Sequence, residues 1–194
     1  MRPRILTAVA ATLTTLGVTT ASLLVAPVTA VADSDVDAKK GRFTRVAVAP
    51  AFYQKLQNNR ITPSPTDPAS LFVYEGTPAF RFPIVEASNN DARLEHVGGI
   101  KFARGDTYAT IKAFTIKARQ GKVSAKIVIS GERPFRDNVF LIRKSNRPRL
   151  GDVRLVLNRA SANGLNFVFD TNNFDAYENV GFASVVRRSA GGGR

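Results

Sequence analysis

The chain holds a single histidine, and it lies in the stretch His96–Phe102, HVGGIKF. Imidazole is the commonest metal ligand and a frequent axial ligand of haem iron. A metal site needs several converging donors, however, and the sequence offers no second histidine and no cysteine. Glu95 is adjacent, yet neighbours on a strand point to opposite faces. His96 is therefore expected to lead into a strand and to hydrogen-bond locally, fixing a turn. Gly98 and Gly99 suit a bulge or a close backbone approach. A phosphate cradle would need a helix N-terminus after them, and an alternating strand pattern follows instead.

The other reactive side chains are scattered. Tyr53, Tyr74, Tyr108 and Tyr177 each offer a phenol that ligates haem iron as phenolate. Amphipathic aromatics more commonly pack with the hydroxyl toward water. Tyr108 is the one to test beside His96 as a cofactor contact, because it opens a hairpin just after the GGIKF strand. Glu86, Asp91, Glu95 and Asp106 cluster along the chain. A glycosidase needs two such groups flanking a sugar, and no tryptophan is present to build a sugar platform. No serine stands in a G-x-S-x-G context, and the single histidine leaves little room for a triad. The residues point away from an enzyme and from any bound metal. No cofactor is expected, haem being the alternative.

Cations dominate what remains. Lys112, Lys117 and Lys126 alternate with apolar positions, Lys101 lies on the preceding strand, and Arg143, Lys144, Arg147 and Arg149 crowd one segment. Lysines on an outer face also guard against edge pairing. Taken together they form a candidate polyanion-binding set. Aromatics do not interleave with them as in single-strand nucleic-acid binders, so nucleic acid is not the expected partner.

Elements that would position these groups are mostly strands. Residues 46–49 read as a short strand. Pro50 then suits the first turn of a helix that sets Phe52, Tyr53 and Leu56 on one side. ITPSPTDPAS, with three prolines, reads as an irregular surface connection. LFVYEG and FRFPIVEA are strands separated by Gly76-Thr77-Pro78. From Glu95 onward the period is two: GGIKFA, TYATIKAFTIKA and VSAKIVISG, the last two joined as a hairpin through residues 119–122. VFLIRK and DVRLVLN add two strands, RASANGLNFVFD a short helix, and NVGFASVVRR a last strand. Roughly eight short strands with turn signals between them predict an all-β fold. The expectation is an antiparallel β-sandwich or barrel-like domain with one or two short helices.

Residues 1–32 read as a signal peptide. Arg2 and Arg4 precede an uncharged run from Ile5 to Val28, and Ala30-Val31-Ala32 offers a small-x-small cleavage pattern. No Arg-Arg pair marks the twin-arginine route. Residues 33–44 read as a flexible extension, 45–187 as one β-sandwich domain, and 188–194 as a disordered tail. After the leader no apolar segment suggests a transmembrane helix. The remaining chain, about 160 residues, is long enough to bury a core without disulfides. Cysteine-free export suits a Gram-positive organism, with the product secreted or held at the wall non-covalently. The net charge of +13 becomes +11 (26 basic, 15 acidic) without the leader, and such a charge attracts polyanions at long range. Outside a cell those are anionic wall polymers or lipid head groups.

One resemblance adds to this. Phe82-Pro83-Ile84, His96–Phe102, residues 111–116, residues 121–127, residues 157–166 and Gly181–Val185 follow one another in an order found in a group of secreted actinobacterial β-rich proteins. The likeness covers about residues 45–187. The same order is distantly similar to the HtaA-type haem-binding domain, which implies a secreted or wall-associated β-rich module and, with it, haem. No ligand is carried over: Ala103-Arg104-Gly105 stands where that family has Gly-His, and His96 precedes the glycine pair. The expected function is a non-catalytic binding or structural protein with a cationic surface. The alternatives are a haem-binding or haem-relay module and an envelope hydrolase.

Overall fold

The computed structural model describes residues 42–88 and 92–187. The leader, most of the 33–44 extension, Asp91 and the 188–194 tail lie outside the described residues. β1 (Arg42–Val48) leads into α1 (Pro50–Asn58). β2 (Thr62–Thr66), β3 (Ser70–Tyr74), β4 (Thr77–Ser88) and β5 (Arg93–His96) follow. Then come β6 (Gly99–Arg104), β7 (Thr107–Lys117), a 3-10 turn (Ala118–Gln120) and β8 (Lys122–Ile129). β9 (Phe135–Lys144), β10 (Val153–Leu157), α2 (Arg159–Val168) and β11 (Asn179–Arg187) complete the chain. The first strand thus begins inside the segment expected to be a loose extension, with Arg42, Phe43 and Thr44 opposite Arg187, Val186 and Val185.

The fold is mostly β, as expected, but two stacked layers do not form. β7 pairs with β5, β5 with β4, β4 with β1, and β1 with β11. β11 pairs with β10, β10 with β9, β9 with β8, and β8 returns to β7. Every pairing is antiparallel, and eight strands close a barrel. Closure hinges on a bulge in the middle of β7. Ala113 there has φ +52°, in the left-handed region that bulges exploit. Before the bulge one edge of β7 pairs with β6; after it the same edge pairs with β5. The bend lets a single hairpin feed both the barrel and the flap of β2 and β6 outside it.

The glycine pair serves this bend. A Cβ on Gly99 would lie 2.3 Å from the Ile111 carbonyl oxygen, and one on Gly98, at φ +77°, 2.5 Å from the Ala69 nitrogen. Both are close-approach positions, not ligand cradles. The proline-rich segment departs from expectation, since residues 62–66 pair with β6 along their length. Pro63 and Pro65 sit two apart, so their missing N–H groups face the same, outer edge. Ser64 between them supplies the ladder.

Side chains alternate along each strand. Thr44, Val46 and Val48 of β1, Phe80 and Phe82 of β4, and Ile127 and Ile129 of β8 face inward. Phe80, Phe169, Phe182, Leu56, Ile61 and Leu157 are the largest fully buried side chains, each stabilising by about 1.5–3 kcal/mol. β1 and β10 run the same way, so the helices that follow them sit at the same end of the barrel. α1 has proline in its first turn and turns Phe52 and Leu56 inward. α2 is capped by Asn158, whose Oδ1 accepts from the Ser161 N–H at 2.7 Å, and lays Leu165 and Val168 over the opening.

Candidate functional site

Two places in the barrel bring functional side chains together: the outer wall of β5, β7, β8 and β9, and the interior. On the wall, Lys112 lies directly opposite Lys126, which lies directly opposite Arg136. Two outward positions along, beyond the Thr115–Ser124 pair, Arg93 faces Lys117, which faces Lys122. Their sequence neighbours Ile111, Ile127, Ile116 and Val123 line the interior, so both rows point outward. Like charges directly opposite on adjacent strands are destabilising, and here two such rows flank the Thr115–Ser124 pair.

Arg136 is held flat between them. It donates to the Ala113 carbonyl at 2.9 Å and to the Thr115 and Ser124 hydroxyl oxygens at 3.2 and 3.5 Å. Among the described residues the ion pairs are Lys55 with Asp175 and Glu178, and Arg93 with Glu95. The Glu178 and Asp175 carboxylates pull the Lys55 pKa up, against the lowering by burial. Among the described residues no carboxylate pairs with Lys112, Lys117, Lys122 or Lys126. Lys101 adjoins the wall on β6, where its Nζ sits 4.6 Å above the Tyr108 ring.

The expected polyanion set is thereby divided. Lys101, Lys112, Lys117 and Lys126 share this wall. Arg143 and Lys144 end β9, and Arg147 and Arg149 sit in the following loop, which folds against the outside of β11 through Leu150 and Gly151. The Tyr74 hydroxyl donates to the Arg149 carbonyl at 3.1 Å. Around that loop Arg143 faces Arg154, and Arg45 faces Arg81. Arg45 lies 3.5 Å over the Tyr74 ring, and Arg81 lies 4.6 Å over Phe43. The Arg45 and Arg81 guanidiniums are partly buried and packed on aromatics, whereas Arg143, Lys144, Arg147 and Arg149 are exposed. Sequence reasoning missed Arg93, Lys122 and Arg136. Lys122 was legible from the hairpin period, whereas Arg136 follows Pro134 and precedes the VFLIRK run to which the strand was assigned.

The interior holds His96, but not in the local role expected. The ring is 4 % exposed and bonds through Nε2 to the Thr44 hydroxyl, 2.7 Å away and 52 residues distant. Nδ1 is buried with no hydrogen-bond partner. Burial pushes the His96 pKa down to about 4, against a smaller opposing pull from the Phe114 backbone. The imidazole is therefore neutral at physiological pH. It lines an apolar cavity of about 170 Å³ between the barrel wall and both helices.

That volume does not fit haem, since drug-sized ligands already need about 300–1,000 Å³. Tyr108 does not fit that role either. Ala109 and Ile111, one and three residues further along the strand, line the interior, so its ring points out beneath Lys101. Among the described residues, Glu86, Glu95 and Asp106 form no cleft. Glu86 faces Glu95 on the outer wall, Glu95 is paired with Arg93, and Asp106 is exposed in the β6–β7 turn. No helix among the described residues is long and apolar enough to cross a membrane. A membrane β-barrel carries an apolar band outside and a polar interior, and this barrel has the reverse arrangement. Comparison of the chain with protein-family models, with curated proteins and with solved structures finds no match.

Proposed function

We propose that this chain is an exported, non-catalytic binding protein of the cell envelope whose cationic barrel wall holds an anionic wall polymer. The observation that carries the reading is the pair of rows Lys112–Lys126–Arg136 and Arg93–Lys117–Lys122. A fold selected for stability alone would intersperse acids among directly opposite lysines. Among the described residues only Arg93 of the two rows has such a partner. The wall offers a repeat of cations about 4.8 Å apart across the strands, suited to a chain of closely spaced phosphates or carboxylates. Binding through such exposed groups is the sum of many weak contacts and is strongly salt-dependent.

Retention on isolated cell walls tests this, comparing the wild type with the double variant Lys112→Gln, Lys126→Gln. The wild type is expected to sediment with walls at 50 mM salt and to be released near 0.5 M, where the screening length falls to about 4 Å. The double variant is expected to bind at least tenfold more weakly. It should also be slightly more stable, by about 0.2–1 kcal/mol, because a repulsive pair is gone. Equal retention of both proteins overturns the assignment of the wall. Binding to vesicles of anionic lipid but not to walls replaces the polymer by a lipid surface.

A further inference from the structure

The cavity is a site that the polyanion reading leaves unused. It is closed at its inner end, where Thr44, His96 and Phe114 are all buried. At its other end the lining is exposed: Phe135 at 47 %, with Asp137 and Ala160. A mouth therefore lies between the start of β9 and α2. Gly164 sits at that mouth, in the middle of the helix face formed by Ala160, Ser161, Leu165 and Val168. A Cβ on Gly164 would meet no atom within 4 Å.

The inner end presents one polar atom in need of a partner. Nδ1 of His96 is buried and unbonded, and a buried polar nitrogen without a partner is costly. An ordered water is a poor remedy, because buried waters typically make about three hydrogen bonds. The neighbouring lining side chains Phe82, Phe114 and Ile116 offer it none, and the Phe114 backbone, though it pulls weakly on the ring, makes no hydrogen bond of good geometry with it. A molecule that brings its own polar atom on an apolar body satisfies the nitrogen and fills the void together.

Size and charge narrow the class. An apolar cavity of about 150 Å³ takes up benzene, so about 170 Å³ suits one more non-hydrogen atom. A carboxylate or ammonium is disfavoured, because no charged side chain at the inner end would offset its desolvation. A hydroxyl fits either ring tautomer. It donates to a bare Nδ1 when Nε2–H donates to Thr44, and it accepts from Nδ1–H when Nε2 accepts from the Thr44 O–H. We propose that the barrel interior binds a small, neutral, largely apolar molecule of about seven non-hydrogen atoms ending in one hydroxyl, which pairs with His96 Nδ1. This site is independent of the cationic wall.

The lone histidine makes the test direct, since protein labelled with 15N-histidine gives one pair of imidazole nitrogen signals. The probes are 1-hexanol and hexane. 1-Hexanol is expected to bind saturably, move the Nδ1 signal, and raise the melting temperature. His96→Leu should still take hexane but bind 1-hexanol at least tenfold more weakly. Gly164→Leu, which fills the mouth, should lose both while keeping or gaining thermal stability. Should His96→Leu fail to fold, the wild-type nitrogen shift decides alone. Uptake of hexane without 1-hexanol overturns the hydroxyl partner. Saturable binding of neither probe, or binding undiminished in Gly164→Leu, overturns the site.

Discussion

Lowering the pH should destabilise this protein through His96. Its imidazole is buried against Thr44, with a pKa held down to about 4 by desolvation, whereas in the unfolded chain it titrates near 6.5. Between those values the unfolded state binds the extra proton and the folded state does not. The stability due to the neutral ring is therefore fully present above pH 6.5 and is lost as the pH falls toward 4. A gap of about 2.5 units at 1.36 kcal/mol per unit amounts to about 3.4 kcal/mol in all, of which about 2.4 disappears between pH 7 and pH 4.5. That is a large share of the about 5–15 kcal/mol that holds a typical domain folded. Carboxylates also titrate in this range, so the measurement is a difference. Urea unfolding of the wild type at pH 7, 6, 5 and 4.5 is set against the double variant Thr44→Val, His96→Phe, which removes both partners and leaves no orphan. The wild-type curve should fall about 2.4 kcal/mol further than the variant's across that span. Parallel curves, or a folded-state histidine titrating between pH 6 and 7 by NMR, would refute the reasoning.

Gly99→Ala should cost at least about 2 kcal/mol by urea unfolding, because the new methyl meets the β7 backbone at Ile111 and only a strand shift relieves it. Little change would mean that β6 and β7 are further apart than described. Asn158→Ala should lose about 1–2 kcal/mol and loosen α2 in hydrogen exchange, since Asn158 caps Ser161 and also donates to the Asn138 carbonyl at 2.5 Å. A protected α2 in that variant would show that packing alone seats the helix. Phe80→Ala, at a side chain 1 % exposed, should cost about 3–5 kcal/mol.

How much of this was legible in the sequence differs from element to element. The β7–β8 hairpin, α1 with Pro50 and the glycine pair follow from period and from local backbone chemistry, and the fold bears them out. Barrel closure does not follow. It depends on a bulge at Ala113, a residue with no local signal for a positive φ, and on β5 and β6 sharing one edge of β7. The proline-rich segment was misread because composition says nothing about which edge of a strand lacks donors. Two prolines spaced two apart leave the other edge intact. His96 was legible as a structural residue, but its partner was not, since Thr44 meets it only when β1 and β5 flank β4. For the cations, Lys112 and Lys126 follow from hairpin register alone. Placing Arg136 beside them needs β9, whose start lies ahead of the VFLIRK run, and separating Arg143 to Arg149 from them needs the fold of the loop over β11.

The two proposed sites respond oppositely to the solvent, and this separates them in one preparation. The wall acts through exposed charges, so its affinity collapses as ionic strength rises. The interior is apolar with a neutral histidine at its inner end, so added salt leaves its binding unweakened or strengthens it slightly. Lowering the pH to 5 leaves the folded-state His96 neutral. A protein released from walls at 0.5 M salt should therefore still take up 1-hexanol with unchanged affinity. Coupled loss of both activities would mean that wall and cavity are one site, with the cations of β7 and β8 acting on a ligand that reaches from the surface into the barrel.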